Sequence, residues 1–426
     1  MSKGVKIEPL DGAIIIAGGG NAARAVALSL AAARLPIMIE PHLAEKATAN
    51  APDWQSVLAL SPAARTMLET LGIWNRLDQP SGSIWDMQVF GRADDVGQEA
   101  GLLSPQLGFA HDGDTKTQTP LGHIVSLAAL GRALDAELQH QIETGSIMIL
   151  PAALADFDAT DKTVKLTNGA KGKAGLLVDS YRQKPLWRQQ QAAQNLVYDY
   201  QAAALVGQIK VARPHGHMAA QIFLPSGPLA LLPLPDSHEV ALVWSLPKNR
   251  AQALAKVSSD LLTHELAEAT EGRFGALEPM GAMAVQDLHF SLAQDVTGNG
   301  IVAIGEAAHV LHPLAGQGFN LTLRDAAVLA DTLFETRALG LPLDDAAMLT
   351  AYARDRQADA ALTGATTHGL ARLFQGPLAP LGRLGLGLVE RVAQNRPSMR
   401  AAMTAQANAG VAHDAIPRLM RGVTFR

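Results

Sequence analysis

The chain has 426 residues, 48% of them hydrophobic and 18% charged, with a formal net charge of −5 and no cysteine. That length exceeds one ordinary core and points to two intertwined domains of a globular, not disordered, protein. The negative balance argues against nucleic acid as a partner, and the missing cysteines remove disulfides, thiolate metal sites and cysteine nucleophiles. The opening MSKGVKIEPLDG lacks a signal-peptide hydrophobic region. Charge, glycine or proline interrupts every long apolar stretch, so no transmembrane helix is expected and the cytoplasm is the expected location.

Residues 13–17 (AIIIA) form a buried-strand run that enters Gly18-Gly19-Gly20. An alanine- and leucine-rich helix follows to about Arg34, and 36–39 make a second strand ending at Glu40. This is a βαβ unit with a G-x-G-x-x-A fingerprint, Gly18, Gly20 and Ala23. The first glycine permits the tight turn, the second lets a pyrophosphate approach the backbone, and the third position lets helix and strand pack closely. Glu40, about twenty residues on, stands where a carboxylate binds ribose hydroxyls.

Residues 84–89 read as a strand, 91–119 as a polar, glycine-rich surface excursion, and 146–178 as a β-meander with glycine turns. His215 and His217 lie in a polar loop and are expected to face solvent. Residues 251–271 read as an amphipathic helix, and 282–292 lead back to a second glycine-rich element.

That element is 300–325, GIVAIGEAAHVLHPLAGQGFNLTLRD. Residues 301–304 are a buried strand, 312–318 hold a proline and two glycines, and a helix starts near Gly318. Backbone without Cβ interference can pass close to a flat ligand. The amides of Gly316, Gln317 and Gly318 precede a helix N-terminus, which favours an anionic or electron-rich partner. His309 and His312 sit three apart, but no carboxylate or cysteine completes a ligand set, so no metal is expected. No G-x-S-x-G elbow or P-loop lysine motif occurs, which removes serine hydrolase and nucleotide hydrolase functions.

GEAAHVLHPLAGQGFNLTLRD resembles the second flavin-binding motif of the FAD-dependent aromatic hydroxylases, and most of all that of the ubiquinone-biosynthesis hydroxylases. Further stretches resemble the same family: 58–74 and 121–138, each as a helix, the strand 196–209, and FLPSGPLALLPLPDSHEVALVW at 223–244. The same holds for the Y...R..D pattern within 349–360 and for 366–374. The resemblance implies an α/β fold: a Rossmann-like, para-hydroxybenzoate-hydroxylase-like FAD-binding domain interleaved with a β-sheet substrate domain, plus C-terminal helices. FAD-binding parts are expected at 1–80, 121–180 and 291–345. The substrate domain is expected as an excursion at 81–120 and a sheet at 181–290, with a helical region at 346–426.

The resemblance also implies that Pro313, Gly316, Gln317 and Gly318 face the flavin ring. Gly18, Gly20, Ala23 and Glu40 take the ADP half, Gly305 and Glu306 the ribityl region, with Asn320 as a further cofactor contact. Arg132 is read either as reaching a phosphate or, more commonly for an arginine, as lying on a solvent face. The implied reaction hydroxylates the aromatic ring of a lipid-tailed ubiquinone precursor with NAD(P)H and O2, by way of a flavin C4a-hydroperoxide. A different aromatic substrate differs from this only in the acceptor. The basic amphipathic stretch 377–400 is read as a helix packed on its own domain, or as peripheral contact with the inner membrane or with ubiquinone-biosynthesis complex proteins.

Departures from the family pattern fall at cofactor contacts. Ala23 stands for the third glycine, Gln55 lies near the place of an arginine, and Leu127 near that of a polar residue. Of an ADG element only Asp179 is kept, with Ser180 where its glycine should be, and Glu306 replaces an aspartate. Losing one charged phosphate contact costs on the order of 1.5–3 kcal/mol. The second function considered is therefore a non-catalytic paralogue with weak or absent FAD binding, acting in quinone-precursor binding or complex assembly.

Overall fold

Three strand ends lie side by side where the glycine turns begin. They belong to a six-stranded sheet with the order Thr297–Gly298, Ile301–Ala303, Leu176–Asp179, Ile14–Ala17, Ile37–Ile39, Ile147–Ile149. All its pairings are parallel except that of the edge strand Thr297–Gly298. A computed structural model describes residues 12–44, 54–91, 107–108, 119–181, 186, 195–311, 317–373 and 416–425. Ile14, Ile15, Ile16 and Ala17 have no exposed surface. Helices cover both faces of such a sheet, so its strands need an unbroken apolar run and not an alternating one. Each isoleucine buried there stabilises the fold by roughly 1.5–3 kcal/mol.

The second large sheet has eight strands, ordered His309–Val310, Leu277–Leu292, Leu196–Val211, Glu239–Pro247, Gly227–Pro233, Met218–Leu224, Asp86–Gly91, Leu107–Gly108. Its core holds Trp244, Leu205, Leu231 and Phe274, separate from the core of the parallel sheet. The short glycine-rich segment after Gly300 belongs to both sheets: Ile301–Ala303 pairs with Leu176–Asp179, and His309–Val310 with Ser291 and Leu292. One stretch of chain thus fixes the distance between the two sheets.

Several sequence expectations change. Residues 58–74 are not one helix: Val57–Leu60 is a strand, and the helix is Pro62–Thr70. Ser61 caps that helix by accepting from Ala64 N–H, and Pro62 fits its first turn, so the start is set at Ser61. Residues 121–138 likewise divide into the strand Gly122–Ser126 and the helix Leu127–Glu143, with Ser126 as N-cap. Residues 251–271 form two helices, Lys248–Leu254 and Ser259–Ala269, the second capped by Ser258. Within 146–178 only Leu154–Asp158, Thr163–Leu166 and Lys171–Lys173 form the antiparallel meander. The flanking strands Ile147–Ile149 and Leu176–Asp179 join the parallel sheet.

His215 is buried, against expectation, while His217 is exposed. The His215 Nδ1 accepts from the His217 amide at 2.9 Å, so its Nε2 carries the proton and donates to Asp236 O at 2.9 Å. Burial lowers its pKa below the usual histidine value, and the ring works as a neutral brace for the turn. No helix among the described residues is long and apolar enough to cross a membrane. The stretch 377–400 lies outside the described residues.

Candidate active site

The fingerprint turn is built as expected. Gly18 has φ +134° and Gly20 φ +70°, and the helix Gly20–Ala32 begins there with no side-chain cap at Gly19. Ala23 is fully buried, consistent with close packing at the third position. A Cβ on Gly20 would meet nothing within 4 Å, so this face of the turn is open.

Gly305 ties the turn to the second motif. It has φ +59°, and a Cβ there would lie 3.3 Å from both Ala22 Cβ and Thr322 Cγ2. Glycine lets the strand end pass between the fingerprint helix and the helix Gln317–Ala338 without backbone strain or crowding. A third helix start closes the ring. Asn21 Nδ2 donates to Leu127 O at 3.4 Å, at the first residue of the helix Leu127–Glu143. Three helix N-termini, of 13-, 17- and 22-residue helices, are therefore brought to one place. Their unpaired amides and positive dipole ends suit a pyrophosphate and a ring that becomes negative on reduction.

Asn320 is buried and works as a clamp. Its Oδ1 accepts from Ser61 N–H at 3.0 Å and its Nδ2 donates to Ala59 O at 2.8 Å. It thereby holds the start of the motif helix against the Val57–Leu60 strand end. A Cβ on Gly318 would meet nothing within 4 Å, so the helix start is open there too. Gln317 is the first residue of that helix, and Glu306 is exposed on the 3-10 turn Gly305–Ala307. Pro313 and Gly316 lie outside the described residues. Arg132 forms a bidentate pair with Asp78 at 2.6 and 2.9 Å, so its guanidinium is held by a carboxylate.

Glu40 stands at the predicted strand end but points inward, with no exposed surface. Its Oε2 accepts from Gly18 N–H at 3.2 Å and from the Tyr181 hydroxyl at 2.6 Å, and its Oε1 from Leu154 N–H at 2.9 Å. Beside it, His42 Nε2 donates to Gly18 O at 2.6 Å, which assigns the proton to that nitrogen. Ser180 stands where the family has glycine, and its Oγ lies 2.1 Å from where a Gly18 Cβ would be. The residues thus fit the pyrophosphate and flavin portions of FAD, while the ribose carboxylate is engaged by the chain itself.

Sequence reasoning missed a buried ionic network behind the motif. His309 Nε2 donates to Asp325 Oδ2 at 2.5 Å, and Arg356 Nε to Asp325 Oδ1 at 2.8 Å. Arg356 and Arg324 both bond Asp359, Arg324 Nε at 2.8 Å. Arg356 and Asp359 are the R..D of the Y...R..D pattern, and Tyr352 is buried beside them. A carboxylate does contact His309, but no group of three or more histidine, aspartate or glutamate side chains among the described residues could hold a metal. Burial alone would raise the Asp325 pKa; His309 and Arg356 outweigh it and hold the carboxyl below its usual range.

The comparisons agree on one relationship. The model of the family described as "FAD binding domain" matches residues 163–363. The ubiquinone hydroxylase UbiL of Rhodospirillum rubrum is 30% identical over 96% of this chain and 92% of its own length. The 3-demethoxyubiquinol 3-hydroxylase of Escherichia coli is 28% identical over 89% and 94%. Among solved structures, PqsL of Pseudomonas aeruginosa superposes with a TM-score of 0.69 at 17% identity, over 88% of this chain and 98% of that one. Klebsiella pneumoniae HpxO, solved with FAD and uric acid, gives 0.63 at 16% identity, over 93% and 97%. At those identities the structural likeness is one of fold.

Proposed function

The chain belongs to the family of FAD-dependent ubiquinone-biosynthesis hydroxylases, and we propose from that membership that it hydroxylates the aromatic ring of a lipid-tailed quinone precursor with NAD(P)H and O2. The fold is the α/β, para-hydroxybenzoate-hydroxylase-like arrangement of a parallel nucleotide-binding sheet and a large second sheet. Relatives named as hydroxylases along nearly the whole chain favour the enzyme over a non-catalytic paralogue.

The observation that carries this reading is the convergence of three helix starts at Asn21 and Ala22 of the fingerprint helix, where Leu127 and the Gly305–Thr322 contact meet it. FAD, when bound, accepts electrons from the nicotinamide and activates oxygen for insertion into an electron-rich ring. This chain's residues supply position and field. The Gly18–Gly20 turn and the start of its helix receive the pyrophosphate, with Ala23 packed below and Gly305 and Glu306 toward the ribityl chain. Gln317 and Gly318 would present helix-start amides to the ring edge that gains negative charge on reduction, and the motif assigns Pro313 and Gly316 to the same ring by sequence alone. Asn320 holds the helix start at the correct distance. Contact of 377–400 with a membrane surface or with complex proteins belongs to the same proposal, since the substrate is lipid-tailed.

The test is an absorption spectrum of the purified protein with and without added FAD, then NAD(P)H oxidation and product analysis with candidate phenols. Stoichiometric flavin and an oxygenated phenol are expected. A protein that leaves the spectrum of FAD unshifted at high concentration, with no NAD(P)H oxidation, would sink the monooxygenase reading.

A further inference from the structure

Glu40 is the one residue of the fingerprint whose expected ligand contacts are already taken. A carboxylate that grips a ribose accepts from two neighbouring hydroxyls, and so needs both oxygens in reach of the ligand. Here three donors already occupy it, and no part of it is exposed. Two of the donors are backbone amides, of Leu154 within its strand and of Gly18 in the turn that follows the strand Ile14–Ala17. The third is a side-chain hydroxyl, chemically the same kind of donor as a ribose hydroxyl.

That hydroxyl belongs to the residue that directly follows the altered ADG element. Tyr181 follows Ser180 directly, and its amide donates to Asp179 Oδ1 at 3.0 Å, a short-range bond that turns the backbone at the strand end. The side chain is half-buried, with its ring 6.4 Å from that of His42 and inclined 28° to it. His42 in turn is bound to Gly18 O, so both rings line the same side of the glycine turn. The Tyr181 phenol is raised above its ordinary pKa, chiefly by burial and then by Glu40, so it remains a hydrogen-bond donor.

We propose that Tyr181 is an internal competitor for the ribose of the dinucleotide: its hydroxyl holds Glu40, and FAD gains the carboxylate only as Tyr181 leaves it. The inference rests on the FAD-dependent reading of the site. Its consequence is a selective one. The affinity of FAD is lowered by the fraction of molecules in which Tyr181 is bound, whereas a flavin without the adenosine ribose is not affected.

The experiment compares FAD and FMN binding to the full chain and to Tyr181→Phe and Tyr181→Ala by quenching of flavin fluorescence, with circular dichroism and melting temperature as controls of folding. Tyr181→Phe removes a single oxygen. FAD binding is expected to tighten at least tenfold in both variants while FMN binding changes less than twofold. Unchanged or weaker FAD binding in both overturns the proposal, and so does equal tightening of FAD and FMN, which means a generally loosened site. Stoichiometric, tight FAD in the unaltered chain with no response in the variants overturns this proposal and leaves the monooxygenase reading intact. Absence of FAD binding in all three proteins overturns both.

Discussion

Glu40 and Asp325 are buried carboxylates in the two glycine motifs, held by different chemistry. Glu40 accepts from two amides and a phenol, all neutral. Asp325 is bonded to a histidine and an arginine, and that arginine leads on to Asp359 and Arg324. A neutral hydroxyl can be exchanged for one of the same kind on a ligand, so the first arrangement is suited to a binding site. A buried charge cannot lose its opposite partner without a desolvation penalty of several kcal/mol. The second arrangement therefore joins elements, tying the helix Gln317–Ala338 to Ala346–Leu373 and to the strand at His309.

The strongest way to break the comparison is Asp359→Ala. It leaves Arg324 and Arg356 buried with a carboxylate removed, and the expected loss of stability is about 3–5 kcal/mol by denaturant unfolding. Acid sharpens the same point. Burial alone would raise the Asp359 pKa, but Arg356 and Arg324 lower it from 3.8 to about 2. The unfolded chain then takes up that proton first on acidification. This stabilisation, about 2 kcal/mol, is present above the unfolded pKa and lost as pH falls toward 2. Asp359→Asn should flatten that part of the stability–pH curve, and an unchanged curve would show that the carboxylate is not held as described.

The first motif was legible because its signals are local. An apolar run, three glycines and a carboxylate about twenty residues on lie within 13–40, and each has a physical reason to be there. What closes Glu40 was not legible, because Tyr181 is 141 residues away and acts from the end of another strand. Ser180 stands out in the sequence as a departure, but nothing local marks its neighbour Tyr181 as a partner of Glu40. The network around Asp325 was half legible: the Y...R..D pattern marked Arg356 and Asp359, yet nothing local says that Arg356 reaches Asp325, 31 residues earlier. The helix starts at Ser61, Ser126 and Ser258 were there to be read, since a serine before a helical run is an N-cap signal. Likeness of 58–74 and 121–138 to single family helices hides the strand that leads up to Ser61 and the one that ends at Ser126.

Asn320 lies between the two regions in kind, neutral like the first but structural like the second. Asn320→Ala leaves the Ser61 amide and Ala59 carbonyl without their side-chain partner, and the expected cost is ~1.5 kcal/mol. If the clamp positions the ring-facing helix start, FMN and FAD should weaken together in this variant. That pattern differs from the one expected of Tyr181, which concerns FAD alone.

Ser180→Gly gives the smallest expected effect and separates crowding from competition. The Ser180 hydroxyl donates to Ala17 O at 3.1 Å, but the Ser180 amide also donates to that oxygen at 2.8 Å, so the acceptor stays satisfied in the variant. The loss should be about 1 kcal/mol, from one hydrogen bond and the added backbone freedom of glycine. The variant restores the glycine of the ADG element and clears the space over Gly18, but it leaves the Tyr181–Glu40 bond in place. FAD affinity should therefore change less than threefold. A large gain here would mean that contact over the glycine turn, and not the hold on Glu40, limits entry of the dinucleotide. Ser180 would then be the residue that separates this chain from the family pattern.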